Sequence, residues 1–181
     1  MFKGWIYISF TLLAVLYAFV KPPFESPDEY YHFGMVAHIA KTGKLPIQSQ
    51  HVTNPLTTPY MQQASQPPLF YLIAAGILAP FDDDSNEMWR INPHVSLGDS
   101  TTPYNKNFSV ITFNAPNTLT GFYLIRLLSI SLGLITIWSI GQVSRLIKPD
   151  FPPEFAMSLV AFNPMFLFIT TAVTNDNLVT A

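Results

Sequence analysis

Leu69-Phe70-Tyr71-Leu72-Ile73-Ala74-Ala75-Gly76-Ile77-Leu78-Ala79-Pro80-Phe81 is an uncharged, mostly apolar run of 13 residues that follows directly on Gln66-Pro67-Pro68. A helix needs about 20 such residues to cross a hydrocarbon core, so this run reads as an interfacial or re-entrant helix and not as a span. The paired prolines stand where a helix start tolerates them. Were the run a span, every charged residue after it would change sides of the membrane. Its length therefore decides which residues can share a face.

The composition around it requires a membrane. Of 181 residues, 49% are hydrophobic and only 11% charged, too few charges for an ordinary soluble domain. There is no cysteine, which excludes disulfide frameworks, thiolate metal sites and cysteine nucleophiles. The nine basic residues are scattered, without the run or stripe that a polyanion-binding surface needs, so nucleic acid is excluded as a partner.

Three longer apolar segments read as transmembrane helices. Gly4 to Val20 lies between Lys3 and Lys21 and has no small-x-small cleavage site after it, which favours a retained anchor over a signal peptide. A second span, 122–147, has Arg126 near its start and Arg145 and Lys148 at its end. A third, 153–174, opens on Pro152-Pro153-Glu154 and precedes Asn175-Asp176. Basic residues in tight loops favour the inside, so the Arg145/Lys148 connection and Lys3 mark the inner face. The region 21–120 is then external, and Asp28, Glu29, Arg126 and Asp176 share the outer face. Residues 176–181 open a further helix, and the chain reads as the N-terminal part of a longer polytopic protein.

Within the external region, 27–41 and 67–81 are expected as juxtamembrane helices. In the first, Ser26 is placed as an N-cap, Pro27 as the first helical residue and Glu29 as the closing acid of a capping box, with Gly43 as the stop. Phe33, Val36, Ala37 and Ala40 recur at helical spacing, and Asp28 and His32 stand four apart on another face. The intervening sequence is loop: 45–65 is rich in proline, threonine and glutamine, and 82–117 is polar. Its Asp82-Asp83-Asp84 lacks the alternate spacing of a cation loop, and its Asn107-Phe108-Ser109 sequon matters only in a host that glycosylates such sites.

Acids and an arginine at the mouth of membrane helices suit a lipid-linked phosphate. Arg126 can offer a bidentate guanidinium at headgroup depth, or can simply reach to the interface as a span boundary. Asp28 and Glu29 can take a proton from an acceptor hydroxyl or hold an activating cation. His32 can orient Asp28 or occupy a polar face. Asp176 can complete the site or cap the next helix.

Several motifs in this order carry a family resemblance: Pro22-Pro23-Phe24-Glu25-Ser26-Pro27-Asp28-Glu29-x-x-His32-Phe33, Gly43-x-Leu45-Pro46, Gln66-Pro67-Pro68-Leu69-Phe70-Tyr71, Arg126-Leu127-Leu128-Ser129-x-x-x-Gly133-x-x-Thr136, Asn163-Pro164-Met165-Phe166 and Asn175-Asp176. Over nearly the whole chain the sequence resembles the N-terminal module of GT-C glycosyltransferases, above all the bacterial protein-mannosyltransferase-like group and a related membrane family with a Pro-Asp-Glu-x-x-His-Phe motif. The resemblance implies an all-α integral membrane fold, with about three transmembrane helices and external juxtamembrane helices. It also implies an inverting transfer of a sugar from a polyprenyl-phosphate donor to a lipid, glycan or protein acceptor, on the external face of a bacterial plasma membrane.

By the same resemblance Asp28 and Glu29 are catalytic or metal-holding, and Arg126 faces the donor phosphate. His32, Gln66 and Asp176 support the site. The resemblance fixes no cofactor; a divalent metal, if used, would take Asp28 and Asp176. Protein mannosyltransferases have a histidine where this chain has Gln66, so that imidazole's role does not carry over. The family has many more spans, so this piece alone is expected to be inactive. Two other readings fit the same charges at helix ends: a transporter or flippase of lipid-linked glycan, and a non-catalytic anchor with an external interaction loop.

Overall fold

The computed structural model describes residues 4–47, 60–82, 89–91, 109–111 and 115–181. Residues 48–59, Asp83, Asp84 and the Asn107-Phe108 part of the sequon fall outside the described residues. Among the described residues the fold is helical apart from one short antiparallel pair, β1 (Trp89–Ile91) with β2 (Ser109–Ile111), with Arg90 in register with Val110. Contacts divide the chain into two compact units, Met1–Lys21 with Ile125–Ala181, and Pro22–Leu124.

The first unit begins with α1 (Gly4–Val20). Its residues Ile6, Phe10, Ala14 and Ala18 are four apart, lie on one face and are all buried. They form a core with Ile130, Ile137, Met157, Ala161 and Leu167. The long helix α4 (Pro116–Ile147) has 32 residues, about 48 Å at 1.5 Å per residue. It starts earlier than the expected span at 122, because Pro116 at its head needs no hydrogen-bond partner for a missing N–H. Small residues let neighbours approach α4: a Cβ on Gly133 would stand 2.9 Å from Thr170 Cγ2 and 3.1 Å from Phe10 Cζ.

The segment expected as a third span is not one straight helix. It forms α5 (Pro153–Ala161) and α6 (Pro164–Thr170), bent by 66° at the break. Pro164 cannot donate to the preceding turn and drives Asn163 out of the helical region, to ψ 121°. Asn163 then caps α6, its Oδ1 accepting from Met165 N at 2.9 Å and Phe166 N at 3.2 Å. The chain ends in the short α7 (Asp176–Thr180).

Among the described residues, α4 is the one helix long and apolar enough to cross a membrane; α5 and α6 pass the same test only together, and α1 and 69–81 are shorter. Large apolar side chains are nevertheless exposed along α1 and α4, including Ile8, Leu12, Leu16, Val20, Trp138 and Leu146.

The second unit pairs α2 (Glu29–Thr42) with α3 (Leu69–Leu78), which a 3-10 turn extends to Phe81. Gly43 ends α2 as expected, at φ 65° with its N–H on the carbonyl of Ile39 at 2.8 Å. The amphipathic expectation for α2 does not hold. Glu29, Tyr30, His32, Gly34 and Met35 are buried along with Phe33, Val36 and Ala37, so α2 is embedded on most of its circumference and has no broad polar face. An aromatic cluster explains this: the Phe122 ring lies 5.2 Å from Phe24 and 5.3 Å from Phe33, both edge-on.

Candidate functional site

Lys21 ends the first apolar helix, and two prolines turn the chain into the segment Phe24–Asp28. Two residues there hold left-handed backbone, Phe24 at φ 70° and Asp28 at φ 57°; they are the only non-glycine residues to do so among those described. Aspartate tolerates this region, whereas a phenylalanine in it is strained by roughly 1–3 kcal/mol. The Phe24 ring packs against Tyr30, Phe33 and Phe122 and so holds the strained residue in place.

The capping box expected here is replaced by a different lock. Helix α2 starts one residue after Asp28, which occupies the cap position without a side-chain cap bond. Glu29 is fully buried, and its Oε2 accepts the Phe24 N–H at 2.9 Å, while its own N–H donates to the Ser26 carbonyl at 3.2 Å. With Asp28 in the left-handed cap position, it is the Ser26 carbonyl that takes the first helical N–H, and the Ser26 hydroxyl caps none. Its Oγ is buried and has no hydrogen-bond partner.

The turn borders a cavity of about 380 Å³ lined by Phe24–Asp28, Tyr30 and Tyr31. The Asp28 side chain is exposed at its edge. Burial, and then the neighbouring Tyr31, raise the Tyr30 phenol above its ordinary pKa.

His32 is buried and not on a polar surface. Its Nδ1 lies 2.7 Å from the Tyr71 hydroxyl, which donates to Gln66 Oε1 at 2.5 Å. With the Tyr71 proton directed to Gln66, the tyrosine oxygen accepts from His32. In the tautomer that donates from Nδ1 to Tyr71, Nε2 is the basic nitrogen. Gln66 thus supports His32 through Tyr71, a residue not singled out from sequence although it stands in the Gln-Pro-Pro-Leu-Phe-Tyr motif.

The other two expected site residues belong to the first unit. Arg126 is fully buried. Its Nη1 donates to the carbonyls of Ala18 at 2.6 Å and Lys21 at 2.8 Å, at the C-terminal end of α1. Oxygens at a helix end have no partner within their own helix, and a cation there also meets the negative end of the helix dipole. Lys21, read from sequence only as a span flank, is itself buried. Its Nζ donates to Phe168 O at 3.0 Å and Thr171 Oγ1 at 3.1 Å, at the end of α6.

Asp176 is exposed and is the first residue of α7, with Asn175 and not Asp176 in the cap position. Its N–H donates to Thr174 Oγ1 at 3.3 Å. The buried neighbour Asn177 ties the end of α6 by donating to Ile169 O and Ala172 O.

The second unit therefore joins Asp28 with Glu29 in one turn and His32 with Gln66 through Tyr71, and the first unit holds Arg126 and Asp176. Among the described residues no group of three His, Asp or Glu side chains is placed to hold a metal ion, so no donor set for a divalent cation is assembled. No protein-family model, no curated protein and no solved structure matches the chain.

Proposed function

We propose that the chain belongs to a membrane glycosyltransferase that moves a sugar from a polyprenyl-phosphate donor to an acceptor hydroxyl on the external face. The observation that carries this reading is the placing of Asp28: an exposed carboxylate on a strained, aromatic-braced turn at the edge of a cavity. Strain of this kind is retained where geometry serves function. In this reading Asp28 takes the proton of the acceptor hydroxyl as its oxygen attacks the anomeric carbon, and the lipid phosphate leaves with the bonding pair. Glu29 holds the turn and does not meet substrate. Arg126 is a positioning residue that secures the Lys21 carbonyl just before the turn. The apolar side chains exposed along α1 and α4 support a membrane setting, since soluble proteins rarely expose such continuous surfaces.

The test is sugar transfer from a radiolabelled polyprenyl-phosphate donor by the full-length protein in membranes. Asp28→Asn is expected to abolish transfer with the fold intact, and unchanged transfer would remove the reading.

One observation favours a second reading. The break between α5 and α6 in an apolar stretch is the kind of discontinuous helix from which transporters build binding sites. Translocation of a fluorescent lipid-linked sugar in proteoliposomes, unaffected by Asp28→Asn, would select a flippase instead.

A further inference from the structure

A groove of about 460 Å³ lies along the C-terminal half of α4. Thr136, Ile140, Val143 and Ile147 line it at spacings of four, three and four, which is a single face of that helix. Between Thr136 and Ile147 the helix rises about 16 Å, close to the roughly 15 Å depth of one hydrocarbon leaflet. Lys148 and Phe151 also line the groove, and they close a turn in which the Phe151 N–H donates to the Lys148 carbonyl at 3.0 Å.

Among the described residues Lys148 is the one charged group in the lining. Its ammonium stands 5.8 Å from the centroid of the Phe151 ring, near the limit of a cation–π contact, and makes no ion pair among the described residues. Asp150, in the same turn, is exposed and likewise without an ion pair among them. Arg145 and Glu154 flank the turn, so two cations meet two acids over 145–154 and no net charge remains. A long apolar groove thus ends at a cation and a carboxylate that do not neutralise each other.

We infer that this groove seats one acyl chain of a phosphatidylethanolamine, with the lipid phosphate on Lys148 and its primary ammonium on Asp150. The headgroup matches both charges of the turn. Phosphatidylglycerol would bring net negative charge to an unpaired carboxylate and to the negative end of the α4 dipole. The quaternary ammonium of phosphatidylcholine has no N–H to donate to Asp150. The inference rests on the membrane setting of the proposed function and not on sugar transfer.

The test places the photoreactive residue benzoylphenylalanine at Ile147, within the groove, or at Leu146, exposed at nearly the same depth but outside the lining. The full-length protein is illuminated in nanodiscs of equal parts phosphatidylethanolamine, phosphatidylglycerol and phosphatidylcholine, and the adducts are identified by mass spectrometry. The share of phosphatidylethanolamine should be roughly two- to fivefold higher at Ile147 than at Leu146, the range of an exposed ion pair. Asp150→Asn should return that share to the Leu146 value, and Lys148→Ala should lower lipid capture at Ile147 by a similar factor. Both side chains are exposed, so neither change should move the melting temperature. Equal shares at the two positions, which mean an annular lipid only, overturn the inference. So do enrichment of either other lipid, indifference to Asp150→Asn, or crosslinking of Ile147 to protein in place of lipid. Lipid adducts at neither position would remove the membrane setting as well, whereas equal shares with sugar transfer intact would remove this inference alone.

Discussion

The guanidinium of Arg126 donates to the carbonyl of Lys21 at 2.8 Å, and the ammonium of Lys21 donates in turn to the carbonyl of Phe168 at 3.0 Å. Two cations in series thus close the C-terminal ends of α1 and α6, where backbone carbonyls lack intrahelical partners. Both bonds come from the one nitrogen Nη1, so Arg126→Lys keeps the charge and enough donors but ends one bond short of the two carbonyls. It should cost about 1.5–3 kcal/mol, and Arg126→Ala roughly twice that. Thermal unfolding in nanodiscs measures both. A lysine variant that melts like the wild type but loses donor binding would instead make Arg126 a phosphate ligand.

Asp28 and Glu29 are adjacent, yet their substitutions should separate cleanly. Asp28→Gly removes the carboxylate and relieves the left-handed backbone, so stability should hold or rise by up to about 1 kcal/mol while transfer is lost. Glu29→Ala leaves the buried Phe24 N–H without its acceptor and should cost about 1–3 kcal/mol. Glu29→Gln retains a carbonyl oxygen for that N–H and should lie between. Denaturation midpoints and transfer rates on the same preparations check all three.

Two glycines should respond in opposite directions. Gly133→Val forces a branched side chain against Thr170 and Phe10 and should destabilise by about 1–3 kcal/mol. Gly76 is exposed inside α3, and a Cβ added there would meet nothing within 4 Å, so Gly76→Ala should stabilise by about 0.5–1 kcal/mol. Comparing both melting temperatures in one lipid condition tests the packing around α4 against an internal control.

Two titrations bracket neutral pH. Burial lowers the pKa of His38, which packs edge-on to Tyr60. The unfolded chain then binds more protons than the fold just below the ordinary histidine pKa, so His38's contribution is present above about pH 6.5 and declines as pH falls through its folded value. Tyr30 has the opposite sense. Its raised pKa makes its contribution complete below about pH 10 and lost as pH rises toward the folded value. Histidine ring shifts by NMR and tyrosinate absorbance should show His38 titrating below the free residue and Tyr30 above it.

The bend between α5 and α6 makes the path of the last segment a measurable question. Single cysteines at the exposed positions Asp150 and Val179 stand before and after the broken pair. If 153–174 crosses the membrane as a bent span, the two thiols label from opposite sides of intact cells. Labelling from the same side would mean that the pair re-enters, and Asp176 would then share the face of the Arg145/Lys148 connection.

Much of the helical layout was legible because its causes are local. The apolar run from Gly4 to Val20, the stop at Gly43 and the shortness of 69–81 are properties of neighbouring residues. The break at Asn163-Pro164 was equally local. Its two residues stand out as a motif, but the proline's effect on a continuous helix does not follow from the motif alone. The site was less legible. No pattern announces that Asp28 adopts φ 57°, and that one dihedral converts Ser26 from an expected cap into a wall residue of a cavity. The roles of Arg126 and Lys21 depend on partners 105 to 150 residues distant in sequence, and no spacing rule reaches that far.

That distance also sets a clock. The carbonyl of Lys21 leaves the ribosome 105 residues before Arg126 does. At about 5–20 residues per second, the interval is on the order of 5–20 s. Throughout it the end of α1 lacks its guanidinium cap, and the Lys21 ammonium waits still longer for Phe168. Of the described helices α1 emerges earliest, yet its end is closed only once Arg126 has followed, and whatever shelters that end in those seconds is as much a part of assembly as the residue that later closes it.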